Sequence, residues 1–215
     1  MASLSYVHRF EPGEALGAPL LLLHGTGGDE SDLLPVGRMV APGAALLSPR
    51  GDVVERGMAR FFRRFSEGVF DEDDVRRRAG ALADFVIDAR KAYGIAAPVA
   101  LGYSNGANIA AAVLLLRPHV LAGAILWRAM MPLTAPQLAP LPGTPVLMLS
   151  GARDPIAGPT EAGQLKAALE AAGAAVEHRI LPVGHELSQA DIAIARQWLQ
   201  ERRLSESAGA AAIGM

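Results

Sequence analysis

The sequence predicts a layered α/β fold in which a mostly parallel sheet is covered by helices on both faces. Short Val- and Leu-rich runs bounded by Gly or Pro recur along the chain, and segments with apolar residues at helical spacing alternate with them. Most of the runs are short and Val/Leu-rich, as strands buried on both sides should be.

The opening strand, near residues 5–10, is more polar and suits a sheet edge. Further strands are expected at residues 20–23, 44–48, 99–103, 121–127, 146–150 and 175–181. The helix after Phe70 is the most legible, because Val75, Ala79, Leu82, Val86 and Tyr93 fall on one stripe. Asp71, Glu72, Asp73 and Asp74 stand where a helix favours acids, and Glu72–Arg76, Asp73–Arg77 and Asp74–Arg78 are acid-first i,i+4 pairs. The basic run at 76–78 is therefore a solvated helix face whose field the neighbouring acids cancel. A helix at 105–117 is apolar nearly all round and should lie buried. Helices at 159–172 and 187–203 alternate with the last strands. Residues 1–203 read as one domain, and the small, Ala/Gly-rich residues 204–215 as a flexible C-terminal tail.

At 215 residues, 51% hydrophobic and 20% charged, the chain has the balance of a globular domain with one substantial core. A net charge of -2 and 5% aromatic residues leave neither the positive field nor the stacking rings of a nucleic-acid binder. There is no cysteine, which excludes disulfides, thiolate metal sites and a Cys nucleophile and fits a reducing compartment. Residues 1–14 contain no apolar segment behind a basic start, and the longest apolar stretch, 109–126, is broken by Arg117, Pro118 and His119. The expectation is a soluble cytoplasmic protein with no membrane partner; its oligomeric state stays open, a homodimer included.

Directly after the strand at 99–103 stands Gly102-Tyr103-Ser104-Asn105-Gly106, and directly after that the buried helix. A serine on so sharp a turn is strained, and the flanking glycines remove side chains that would strike neighbouring backbone. The free N–H groups of the helix start face the place where negative charge would develop in acyl transfer. Ser104 is thus the candidate nucleophile.

A serine hydroxyl needs a base, commonly a histidine oriented by a carboxylate. Between Ser104 and His185 the acids are Asp154, Glu161, Glu170 and Glu177; the glutamates fall within a predicted helix or strand, whereas Asp154 follows a strand end. His185 lies just past the last strand, while His178 is inside it, His119 follows the buried helix, and His8 and His24 precede the serine. Order along the chain selects Asp154 as acid and His185 as base.

Two backbone donors are needed for the tetrahedral oxygen: Asn105 supplies one, and Thr26, in the loop His24-Gly25-Thr26-Gly27-Gly28, the other. This glycine-rich loop lacks a P-loop lysine. His24 is expected to orient the loop, and Asp29, Glu30 and Asp32 to cap a helix rather than bind metal. Met58, Phe61, Phe62, Trp127, Met130 and Met131 are candidate pocket walls, with core packing an equal reading for the phenylalanines. Arg56, Arg60, Arg63 and Arg64 suit either a carboxylate-bearing substrate or a solvated helix face. No cofactor and no metal are required.

Together these motifs, with Gly151-Ala152-Arg153-Asp154-Pro155 and Gly184-His185, resemble the phospholipase/carboxylesterase family of α/β-hydrolases, which includes the acyl-protein thioesterases. The stretches Ser48-Pro49-Arg50-Gly51 and Arg56-Gly57-Met58-Ala59-Arg60-Phe61-Phe62-Arg63-Arg64-Phe65 resemble its bacterial carboxylesterase branch, associated with quinone and catechol stress operons. The resemblance implies an α/β-hydrolase fold without a large lid, a Ser104–His185–Asp154 triad, oxyanion donors at Thr26 and Asn105, and Met58, Phe61 and Phe62 near the pocket. Its implied activity is hydrolysis of small carboxylic esters. Thioester or lysophospholipid hydrolysis by the same triad is the alternative, and a non-catalytic ligand-binding role is the alternative of another class. Asn105 and Thr26 depart from the Gln and Leu usual in acyl-protein thioesterases.

Overall fold

In the computed structural model, which describes residues 4–14, 17–134 and 139–213 with backbone alone from 203, seven strands form one sheet. These are β1 (His8–Glu11), β2 (Leu20–Leu23), β3 (Leu46–Pro49), β8 (Val99–Tyr103), β9 (Gly123–Trp127), β10 (Pro145–Gly151) and β11 (Ala175–Leu181), in the order β1-β3-β2-β8-β9-β10-β11. Only β1 runs antiparallel, pairing with β3 at the edge, as its polar sequence suggests. The helices are α1 (Leu34–Val40), α2 (Glu72–Tyr93), α3 (Asn105–Leu116), α4 (Pro159–Ala171) and α5 (Gln189–Ile213).

Side chains alternate across a strand, and here both faces are apolar. Leu21, Leu23, Ala100, Ala124, Leu126, Val146 and Met148 pack with residues of α2, α3 and α4, whereas Leu20, Leu22, Leu101, Ile125, Trp127, Leu147 and Leu149 pack with those of α1 and α5. That two-sided burial explains the unbroken apolar runs. Helix α2 begins with Asp71, whose carboxylate accepts from the Asp74 N–H, and ends at Gly94 in the left-handed region. Asp74, nearly buried, gathers both Arg77 and Arg78. Arg78 also reaches Asp52, so the basic run is neutralised partly across elements and not only by the pairs foreseen.

Four features differ from expectation. Helix α1, expected only as a start beside Asp29, Glu30 and Asp32 and without bounds, is seven residues long, with Pro35 in its first turn. It has no acid in that turn either: Asp29 accepts from the Ser31 N–H and Glu30 pairs with Arg50, so this acidic run closes a loop rather than capping a helix. Residues 53–70 form two hairpins, β4 (Val53–Glu55) with β5 (Met58–Arg60) and β6 (Arg64–Ser66) with β7 (Val69–Phe70), so Arg56, Arg60, Arg63 and Arg64 share no helix face. The two-residue turn Arg56-Gly57 has positive φ at both positions, 51° and 80°, the twist that a tight hairpin needs. Finally, α5 continues to Ile213 through the segment expected as a tail; Gly214 and Met215 lie outside the described residues.

The strand order places the site. From β2 the chain steps outward to β3 on one side, then from β8 builds β9, β10 and β11 on the other. The crevice between the carboxyl ends of β2 and β8 is therefore a topological switch point, where open α/β sheets bind ligands. No helix among the described residues is long and apolar enough to cross a membrane.

Candidate active site

Ser104 sits between β8 and α3 with φ 52° and ψ -115°, a strained conformation held from both sides. Its N–H donates to the Trp127 carbonyl and its own carbonyl accepts from the Asn108 N–H. The turn is so tight that a Cβ on Gly106 would lie 2.0 Å from the Leu23 carbonyl oxygen, and one on Gly102 would lie 2.6 Å from the Gly106 carbonyl oxygen. Both contacts are with backbone, which cannot swing aside. Gly106→Ala is expected to cost about 1–3 kcal/mol, read as a lowered Tm in thermal denaturation; an unchanged Tm would mean that the elbow opens freely.

The serine hydroxyl donates to Nε2 of His185 across 3.0 Å, and Nδ1–H of His185 donates to Asp154, 2.8 Å from Oδ2 and 3.0 Å from Oδ1. The structure thus brings together three side chains from the ends of β8, β10 and β11. Asp154 Oδ1 also accepts from the N–H groups of Ile156 and Ala157. Burial alone would raise the Asp154 carboxyl, but those two N–H groups and His185 outweigh it and hold the group below the usual carboxylate range. An ionised Asp154 fixes the proton on Nδ1 and leaves Nε2 as acceptor.

Thr26 follows β2 and faces the same cavity as Ser104 and Asn105. Among the described residues neither the Thr26 nor the Asn105 backbone N–H donates to a protein acceptor, and Asn105 is the first residue of α3. The loop carrying Thr26 is braced by His24, whose Nδ1–H donates to the Gly25 carbonyl while Nε2 accepts from the Gly51 N–H. Burial lowers the His24 imidazole, which suits a neutral ring in that double role.

The candidate pocket residues divide. Met130 lines the small cavity at Ser104, about 30 Å³, together with Phe70 and Ile156. Met131 lines an adjoining groove that shares Phe70 and Met130, and Met58 lines another that shares Arg60 and Arg64, each about 570 Å³. Phe61, Phe62 and Trp127 line none of these. They are fully buried, Phe61 and Phe62 in the core cluster of α2 and α3 and Trp127 on the opposite face of the sheet. Core packing, the alternative reading for the phenylalanines, is what the structure shows.

Sequence reasoning passed over Arg128. It follows β9 with φ 55°, and its side chain is fully buried against an equally buried Asp191. Nε donates to the Gly184 carbonyl, Nη2 to the Glu186 carbonyl, and Nη1 to the Leu149 carbonyl. Tyr103 adds a hydrogen bond from its hydroxyl to the His185 carbonyl. Three successive carbonyls of the histidine loop are thereby anchored. The available signal was a lone arginine ending an apolar strand, since such a charge needs a buried partner.

A second Ser–His pair exists: the Ser150 hydroxyl and His178 Nε2 are 2.9 Å apart, on the adjacent strands β10 and β11. Ser150 is buried within a strand, and among the described residues no carboxylate bonds the His178 ring. No group of three or more His, Asp or Glu side chains suited to hold a metal occurs among the described residues.

A mostly parallel sheet clad on both faces, with a strained serine after β8 and an acid and a histidine after later strands, defines an α/β-hydrolase. No protein-family model matches the chain. It is 43% identical over 196 residues to the protein MhqD of Bacillus subtilis (strain 168), covering 90% of this chain and 98% of that protein. The crystal structure of the Bacillus cereus carboxylesterase is 43% identical, with a TM-score of 0.89 over 92% of this chain and 94% of that one. A carboxylesterase from Mesorhizobium loti is 35% identical, with a TM-score of 0.88 over 93% and 97%. The chain belongs to the family of bacterial α/β-hydrolases that contains MhqD and these carboxylesterases.

Proposed function

We propose that this protein is a serine hydrolase that cleaves small carboxylic esters through an acyl-enzyme on Ser104. The observation that carries the reading is the continuous hydrogen-bond path from the Ser104 hydroxyl through His185 to Asp154.

In the first half-reaction Ser104 Oγ attacks the ester carbonyl as His185 Nε2 takes its proton. The carbonyl oxygen becomes an oxyanion facing the Thr26 and Asn105 N–H groups, while Asp154 stabilises the imidazolium. Collapse expels the alcohol, which leaves with the proton from His185. Water, deprotonated by the same nitrogen, then attacks the acyl-enzyme, and the carboxylic acid departs as Ser104 regains its proton. Nucleophile, base and charge stabilisation all come from the chain itself. The narrow cavity beside Ser104 favours a short group on at least one side of the ester.

Ser150–His178 serves this chemistry less well: its serine lies in regular strand, has no turn to lift the hydroxyl clear of the sheet, and its histidine lacks an orienting acid. A fluorophosphonate probe tests the choice. Labelling is expected in the natural protein and in Ser150→Ala, and is expected to vanish in Ser104→Ala; the opposite pattern would move the nucleophile to β10.

A further inference from the structure

Three arginines, Arg60, Arg64 and Arg128, and no acidic residue line the cavity that contains Ser104. Their situations differ. Arg128 is neutralised by Asp191, Nη1 against Oδ1 and Nη2 against Oδ2, each at 2.8 Å, and its other N–H groups bond carbonyls. Its donors are spent.

Arg60 is nearly as buried, with its side chain 2% exposed, yet its nearest acid is Glu55 at 3.4 Å, which is itself partly exposed. Its Nε donates to the Phe62 carbonyl and its Nη1 to the Thr26 hydroxyl, while Nη2 donates to no acceptor among the described residues. Arg64 makes no ion pair within 4.0 Å among the described residues, and only its backbone N–H reaches Glu55. Burial first, and then the Arg64 charge, push the Arg60 guanidinium down against the pull of Glu55, so the two cations are close enough to repel. The same two residues also line the adjoining groove with Arg56, Met58, Glu55 and Glu67. Glu55 offsets the buried Arg60 charge, which leaves the half-buried Arg64 guanidinium beside it with no ion pair among the described residues, a positive charge near the serine that an anion would complete.

We infer that Arg60 and Arg64 form an anion subsite beside Ser104, and that the substrates are esters carrying a free carboxylate on one arm. A carboxylate there would accept from the unused donors of Arg60 and Arg64 in the planar, two-oxygen manner that guanidinium groups favour. The other adjoining groove, which shares Phe70 and Met130 with the cavity and is lined further by Met131, Glu72 and Glu161, would take the uncharged arm, since its carboxylates disfavour an anion. This inference rests on the serine-hydrolase reading and narrows its substrate class.

The test compares kcat/KM within two matched pairs: monophenyl adipate against phenyl hexanoate, with the charge on the acyl arm, and 4-butanoyloxybenzoate against 4-butanoyloxybenzamide, with the charge on the leaving arm. In at least one pair the anionic ester is expected to be preferred by about tenfold or more at low ionic strength, a preference that shrinks with added salt. In Arg64→Gln the ratio is expected to fall toward one. Ratios at or below one in both pairs, or a preference that survives Arg64→Gln, would overturn the subsite while leaving the esterase intact. If all four esters resist hydrolysis, the hydrolase reading fails instead. The subsite is then judged by titrating adipate into Ser104→Ala: saturable binding that weakens about tenfold on adding Arg64→Gln sustains it, and no binding or equal binding in the two proteins refutes it.

Discussion

His185→Ala is expected to lower kcat on an activated phenyl ester by roughly 10⁴–10⁶ while KM changes little. The imidazole makes both of its hydrogen bonds within the site, to Ser104 and to Asp154, and takes the proton only as the transition state forms. Removing it therefore costs stabilisation that substrate binding never uses. Asp154→Asn is a sharper companion. Its remaining amide oxygen can still accept from the Ile156 and Ala157 N–H groups that Asp154 Oδ1 holds, so the loop stays in place. The new amide, however, donates where His185 now needs an acceptor, and a loss approaching that of His185→Ala is expected from the wrong tautomer alone. Stopped-flow or steady-state assay of both variants, with circular dichroism to show an intact fold, decides the matter. Near-normal kcat in His185→Ala would transfer the base to another residue and remove the proposed mechanism.

The parts of this molecule legible from sequence are those in which one physical constraint dominates. Strands buried on both faces must be apolar throughout, so β2 and β8 stand at the expected residues and β3, β9 and β10 within two of them, while the edge strand β11, with no buried residue, also stands where expected. The turn at Ser104 admits only glycine at positions 102 and 106, a requirement visible in the sequence itself. Asp154 and His185 are legible by their place after strand ends, and the fold brings them within hydrogen-bond distance of one another and brings His185 within the same distance of the serine. Legibility ends where long-range packing decides. Phe61 and Phe62 sit in a segment rich in candidate wall residues, but the Phe61 N–H is tied to Asn105 Oδ1 and the Phe62 ring packs edge-on against Phe70, which turns both inward. The hairpins at 53–70 were hidden because their turns use Arg56-Gly57 and Glu67-Gly68 rather than the commoner Asn-Gly or Asp-Gly. Arg128 shows in the sequence only as a lone charge ending an apolar strand; its pairing with Asp191, far along the chain, leaves no periodic trace.

Arg128→Met should have the largest effect on stability of any single change near the site. It leaves the buried Asp191 carboxyl with only the N–H and hydroxyl of Ser188 for company, and breaking a buried pair in this way costs about 3–5 kcal/mol. The measurement is the shift in the denaturation midpoint at constant m-value. Stability and catalysis can then be separated, because replacing both partners with apolar residues often restores the folding free energy. In Arg128→Met/Asp191→Leu the midpoint is expected to recover much of the loss. Turnover should not follow it, since the carbonyls of Gly184 and Glu186 on either side of His185 have still lost their donor. A base misplaced by a fraction of an ångström is expected to hold kcat about 10–100-fold below normal, and the fall should appear in kcat rather than KM, because Arg128 has no N–H left for substrate. If turnover returned together with stability, Arg128 would be a folding element alone, and the precision of the Ser104–His185 contact would have to come from Tyr103 and Asp154.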